Sequence, residues 1–331
     1  MEERARFTEV AAKAGHYESF YLKACAPDGG RGLWIRHTVH KRPGAEATGS
    51  IWFTLFDRAA GAPRATKLTV PASGLAVPDD GWIRVADAEI GPGEARGSVG
   101  TDNLSASWSL RFNGDNRPAH YLPADWLYEA PLPRTKFVAP FPDAVFDGTL
   151  EIDGETIELA GWPGMIGHNW GTEHAERWIW LEGTGFVDSP DTWFDAGAAR
   201  VKLGRRTSPW IPSGFLSLDG VRYRLGGLGA IRSSRIEETP TGCSFLLPGK
   251  DIVVHGHVEA PREAFVGWIY ADPAPKGGEH HTVNCSVADL ELTVEQPGRP
   301  SRQLTLPAGA AYELGMQETD HGVPIQPFGD G

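Results

Sequence analysis

The residues best suited to chemistry sit close together. His168, Asn169 and Trp170 lie in the run GWPGMIGHNWGTEHAERWIWLEG (161–183), and Asp195 follows in TWFDAG (192–197). The first run alone holds four of the chain's 12 tryptophans. Successive side chains of a strand alternate between its faces. In AERWIWLEG, Trp178, Trp180 and Glu182 therefore share a face; in TWFDAGAARV, Trp193, Asp195, Gly197, Ala199 and Val201 share one. Asp195 is the only charge in its set. Turned inward, its carboxyl would be desolvated, its pKa would rise, and it could donate a proton near neutral pH. Turned outward, or held in a structural hydrogen bond, it would do no chemistry.

His168 stands between Gly167 and Gly171, a context that suits a corner rather than a regular strand. There it could orient Asp195 or relay a proton, or it could be a core histidine satisfied by backbone carbonyls. Trp170, Trp178, Trp180 and Trp193 are candidate walls for a substrate, with Asn169 a polar contact among them. Indole faces stabilise cations, so an olefin protonated between them would be favoured. The same tryptophans could equally be plain core filling. A metal is the competing use of the histidines: His168 and His174 with Glu173 nearby, His255 with His257, and His280 with His281. The H-x5-H spacing is not a usual ligand pattern, so no metal site is assigned. No nucleotide-binding glycine loop, G-x-S-x-G elbow or catalytic cysteine context occurs, so no cofactor is expected.

The elements that would position these groups are strands. Of 331 residues, 41 are Gly and 26 are Pro without low-complexity runs, which implies many turns between short strands. YESFYLKA (17–24), GLWIRHTVH (32–40), SIWFTLF (50–56) and SASWSLRF (105–112) read as strands. Further strands are expected at 176–187, 191–203, 241–247, 250–259, 264–271 and 281–294. Asp153-Gly154 marks a type I′ hairpin, and Asp219-Gly220 repeats its pattern. A short helix is expected over 3–14, stopped by Gly15. The proline-rich segment 118–143 reads as a crossing connection with one helical turn at Ala124–Tyr128. The fold class is all-β, two tandem antiparallel barrels or sandwiches, divided as residues 1–172 and 173–331.

Net charge is −12, which argues against a nucleic-acid partner. No apolar run approaches a membrane span, no signal peptide is evident at the start, and Cys25, Cys243 and Cys285 form no motif. A reducing cytoplasm is the expected setting, and the oligomeric state is left open.

GWPGMIGHNWGTEHAERWIW followed by TWFDAG resembles a lipocalin-like group: carotenoid 1,2-hydratases (hydroxyneurosporene synthases), AttH-like proteins, tocopherol cyclases and fungal Diels–Alderases. HYESFYLKA and LWIRHTVH resemble the opening strands of uncharacterised bacterial members. The resemblance implies two lipocalin-like barrels with a ligand cavity near their junction. It also implies functional roles at His168, Trp170, Trp193 and Asp195, although Trp193 stands where the hydratases carry tyrosine. Two functions are consistent with these residues. One is a cofactor-independent hydratase, cyclase or isomerase of a hydrophobic isoprenoid- or polyketide-like substrate, with Asp195 as acid. The other is a non-catalytic carrier of a hydrophobic small molecule. A metal-dependent or sugar-active β-sandwich is a weaker third.

Overall fold

The computed structural model describes residues 3–114, 117–274 and 278–329. Two large antiparallel sheets account for almost all regular structure, one of 12 strands and one of 10. The first draws its strands from His16–Cys25 through Glu155–Gly171, and the second from Arg177–Phe186 through Arg302–Met316. In each, the first strand of the sheet pairs with its last: His16–Cys25 with Glu155–Gly171, and Arg177–Phe186 with Arg302–Met316. Each sheet also curls back on itself. Thr66, on the end strand Arg64–Pro71 of the first, approaches Thr101, on Glu94–Thr101 from its other half, to 2.9 Å between hydroxyls. Leu225, on the end strand Val221–Gly226 of the second, bridges to Gly249, just past Gly242–Pro248. Closure of this kind removes exposed sheet edges. The all-β double-barrel expectation matches this architecture.

Asp153 and Asp219 both adopt positive φ, each followed by a positive-φ glycine, as type I′ hairpins require. Two expectations need correction, and one strand was not expected at all. The N-terminal helix shrinks to one 3-10 turn, Phe7–Glu9. Its neighbouring amides are drawn elsewhere: Arg6 and Phe7 donate to the Glu18 carboxylate, and Ala5 donates to the Trp82 carbonyl. The connection ends early, because Thr135–Ile152 is a strand. Pro140 and Pro142 fall where its register against Glu155–Gly171 shifts, so neither interrupts a regular ladder. Finally, Arg302–Met316 is a long strand that its Pro307 and small residues obscure.

The strand His16–Cys25 is buried along its whole length, on both faces. Phe20, Leu22 and Ala24 enter the core of the first barrel with Leu33, Ile35 and Phe53. Tyr21, on the opposite face, packs with the second barrel's core, as do Trp34 and Trp52. Trp52 meets Trp268 edge-on at 5.1 Å between ring centroids. The two barrels thus share a dry wall, and the candidate residues lie on either side of it.

Candidate active site

A cavity of about 780 Å³ opens between the two sheets and the connection that follows residue 118. Tyr17, Tyr21, Trp34 and Arg36 supply one wall, Trp178, Trp180 and Ala198 another, and Tyr121 and Phe137 close the side between them. That volume suits a drug-sized, mostly apolar ligand.

Asp195 is fully buried immediately behind this wall. Its strand, Ser189–Arg200, pairs with Arg177–Phe186 so that Asp195 lies opposite Glu182 and Gly197 opposite Trp180. The indole Nε1 of Trp180 donates to Asp195 Oδ1 at 2.9 Å, and the Tyr121 hydroxyl donates to Oδ2. Both donors line the cavity. Burial pushes the Asp195 pKa from 3.8 up to about 7, against the hydrogen bond from Tyr121; the Glu182 charge adds to the rise, while Trp180 and Lys23 oppose it. Lys23, also fully buried, pairs with Glu182 at 2.6 Å and donates to the Gly309 carbonyl at 2.6 Å. An ion pair across the barrel junction therefore fixes the charge environment of the acid.

Tyr121 is pinned from outside the cavity. Its carbonyl accepts from Ser213 Oγ at 3.0 Å and from Arg224, whose guanidinium also binds the His120 carbonyl. Burial drives the Tyr121 pKa well above 10, with the Asp195 charge adding to it, so the phenol keeps its proton. No period or motif marks Tyr121 in the sequence, because it belongs to the connection rather than to a patterned strand.

His168 is placed differently from its expected role. It lies in a regular strand, Glu155–Gly171, opposite Phe20, and faces the first barrel. Gly167 is needed because the Tyr21 ring covers it, not because the chain turns there. The expected His168–Asp195 pair does not form. Both imidazole nitrogens are taken, Nε2 by Glu18 Oε1 at 3.0 Å and Nδ1 by Glu3 Oε2 at 2.9 Å. Both Asp195 oxygens are taken by Tyr121 and Trp180. Of the expected wall residues, Trp178, Trp180 and Asn169 line the cavity. Trp170 instead packs with Tyr128 and Val138 beneath the Arg6 guanidinium, and Trp193 sits in the second core beneath Arg222. The strand alternation that sends Asn169 inward sends His168 and Trp170 the other way.

The His168 cluster holds the N-terminal segment down. Burial opposes a charged imidazole, but its hydrogen bonds to Glu18 and Glu3 outweigh that and raise its pKa. Burial would raise Glu18, yet His16 and His168 hold it down at about 2. The stability from His168 is complete below its unfolded value, ~6.5, and is lost as pH rises through the raised folded value. That from Glu18 is complete above ~4.5 and is lost as pH falls toward about 2. His168→Gln is therefore expected to cost about 1.5–3 kcal/mol at pH 5.5. Urea unfolding should show the deficit shrinking as pH rises past neutrality, and a pH-independent deficit would contradict the ion-pair account.

Two further groups on the wall, His174, weighed in the sequence only as a metal ligand, and Arg36, complete its polar lining. His174 donates through Nδ1 to Asp272 Oδ1 at 2.9 Å and stacks on Tyr17 at 4.0 Å between ring centroids. Its burial lowers its pKa despite Asp272, so the ring is neutral at pH 7, while Asp272 lies well below the usual carboxylate range. Arg36, only 6% exposed, stacks on Tyr270 at 4.2 Å and donates through Nε to Ser19 Oγ at 2.6 Å. Stacking of this kind contributes ~2 kcal/mol when desolvated, less than the several kcal/mol that burying a charge costs. A charge at an inward position of an apolar strand was the available signal for Arg36. Among the described residues, no group of three or more His, Cys, Asp or Glu is placed to hold a metal ion, and no helix is long and apolar enough to cross a membrane.

No family model matches the chain. An uncharacterised protein of Mycobacterium tuberculosis, Rv0493c in strain H37Rv and MT0513 in strain CDC 1551, is 27% identical over 293 residues, covering 84% of this chain and 81% of that protein. Among solved structures, a candidate AttH protein of Nitrosomonas europaea superposes with a TM-score of 0.54 at 12% identity, covering 95% of this chain and 97% of that one. CghA, crystallised with Sch210972, gives 0.56 at 12% identity, covering 91% and 88%. Kievitone hydratase of Nectria haematococca gives 0.52 at 10% identity, covering 92% and 89%. At these identities the likeness establishes the fold, that of the lipocalin-like AttH type, and nothing finer.

Proposed function

We propose that the protein is a cofactor-independent acid–base enzyme that protonates a carbon–carbon double bond of a hydrophobic, isoprenoid- or polyketide-like substrate held in this cavity. One observation carries the reading: a fully buried carboxyl with a pKa of about 7 whose two hydrogen-bond donors, Tyr121 and Trp180, both form the cavity wall. A carboxyl at that pKa is half protonated at neutral pH, the range where general acids work best.

In this reading Tyr121 is the group that meets substrate, since it lines the cavity and Asp195 lies buried behind it. With Asp195 ionised, the phenol donates to it. With Asp195 protonated, the carboxylic acid donates to the phenol oxygen, and the Tyr121 O–H is free to turn toward the cavity. Proton transfer then runs from Asp195 to Tyr121 Oη while the Tyr121 proton moves to the substrate carbon. The carbocation left behind is stabilised by the π faces of Trp180 and Tyr21, whose rings meet edge-on at 5.4 Å. Addition of water gives hydration, attack by an internal nucleophile gives cyclisation, and loss of a neighbouring proton gives isomerisation. In each case one proton is released, from the added water, from the nucleophile's O–H or from the neighbouring carbon, and it returns to the Tyr121–Asp195 pair, which ends as it began.

The test is isotopic and works across a range of candidate substrates at once. The protein is incubated in D2O with a panel of isoprenoids and polyenes, and products are read by mass. Deuterium at carbon is expected with the wild type and is expected to fall about 10²–10⁴-fold with Tyr121→Phe. A ligand that binds both proteins tightly but exchanges no hydrogen with either would instead make the protein a carrier.

A further inference from the structure

Within the apolar wall of the cavity, two polar side chains have unused hydrogen-bonding capacity. Arg36 lies on Arg31–Lys41, a central strand of the first sheet, and its guanidinium reaches the cavity while the residue stays 94% buried. Among the described residues only its Nε has a hydrogen-bond acceptor, Ser19 Oγ. Among the described residues neither terminal nitrogen has an acceptor, and no carboxylate forms an ion pair with it. The two acids on the wall are occupied otherwise: Glu173 pairs with Arg134, and Glu313 accepts from Trp178 Nε1, Tyr270 Oη and Asn284 Nδ2 at 2.9, 3.2 and 3.2 Å. Asp272, beyond His174, is held by His174 and His280.

The second group is Asn169. It also lines the cavity, and its Oδ1 is buried without a partner. Register places it beside Arg36 in function: Asn169 pairs with Ser19 across the strands, and Ser19 is the residue that holds the Arg36 Nε. A buried cation and a buried amide, both incompletely satisfied and flanking one serine, form a polar notch beside the aromatic residues of the wall. Groups desolvated without partners are unfavourable, so a notch of this composition is completed by what binds there.

We propose that the ligand of this cavity is an amphipathic acid, whose anionic headgroup (a carboxylate, or an ionised enol or phenol) pairs with Arg36 while its apolar body lies against Trp180 and Tyr21. The planar fork of a guanidinium matches two anion oxygens at once. Asn169 serves the same headgroup, since its amide can rotate to present Nδ2 as a donor. This rests on the cavity being a site for hydrophobic ligands, as proposed above, and adds the headgroup that fixes which end enters first.

The test uses two fluorescent probes that share a skeleton and differ in charge: 1-anilinonaphthalene-8-sulfonate and its uncharged parent, N-phenyl-1-naphthylamine. Both are titrated into the full chain. The wild type is expected to bind the sulfonate at least about tenfold more tightly than the parent, the size of a charge-assisted pair, despite a net protein charge of −12 that would repel it. In Arg36→Gln the ratio of the two affinities should fall to about one while the neutral parent still binds, which also reports that the cavity is intact. Arg36→Lys should restore part of the preference. Equal affinities in the wild type, or a preference that survives Arg36→Gln, would overturn the headgroup assignment and leave the apolar cavity standing. Failure of both probes to bind would overturn the assignment and the cavity reading together.

Discussion

Asp195→Asn is expected to reduce turnover by about 10²–10⁴-fold while leaving ligand binding nearly unchanged. The carboxamide keeps the shape and an acceptor for Trp180 or Tyr121, but it carries no transferable proton. Wild-type turnover should fall as pH rises through about 7, because the protonated carboxyl is the working form. The variant's residual activity should lack that limb. Stability should follow pH in the same direction. The folded pKa lies above the unfolded one, so the neutral carboxyl stabilises the fold below ~4, and this contribution is lost as pH rises through about 7. Asp195→Asn cannot ionise, so above neutrality it should be at least as stable as the wild type. An acid that costs stability at working pH is a common signature of functional groups. Turnover within about tenfold of wild type, a loss of only ~1.4 kcal/mol in the barrier, would remove Asp195 from the chemistry.

Lys23→Met carries the second large effect. Lys23 and Glu182 are both fully buried and join the first strand of each sheet. Removing only the lysine leaves a carboxylate uncompensated in a dry wall, a change that costs about 3–5 kcal/mol in comparable buried pairs. Replacing both, Lys23→Met with Glu182→Met, should recover much of that loss, since well-packed apolar pairs often match a buried ion pair. Chemical denaturation of Lys23→Met, Glu182→Met and the double variant measures this. The same pair should tune the acid. Glu182 raises the Asp195 pKa and Lys23 lowers it, so Lys23→Met should move the alkaline limb of the pH profile upward and Glu182→Gln should move it downward. Additive single and double losses would show that the pair is not coupled, and the tuning would fail with it.

Much of the fold was legible in the sequence because it rests on local signals. Gly and Pro punctuation, the Asp-Gly turns and the runs of β-branched and aromatic residues marked most of the strands. The exceptions share a cause. Arg302–Met316 and the start of Thr135–Ile152 contain proline and small residues that weaken a strand signal, and long-range pairing with neighbours overrides it. The N-terminal helix failed because Glu18, a residue outside it, competes for its amides.

The candidate site divides along the same line. Alternation within TWFDAGAARV placed Asp195 among small and aromatic residues, and that was enough to single out the acid. The sequence could not say which face of GHNWG turns toward the cavity, because the strands at the junction are buried on both sides and show no polar face. Tertiary structure decided that Asn169 faces in while His168 and Trp170 face the first barrel. It also supplied Tyr121, from a proline-rich connection with no periodicity, and Arg36, from a strand more than a hundred residues earlier. Chemistry by one carboxyl can be read from its neighbours in the chain. Its partners are chosen by which surfaces two closed sheets press together, and that is set by contacts distant in sequence.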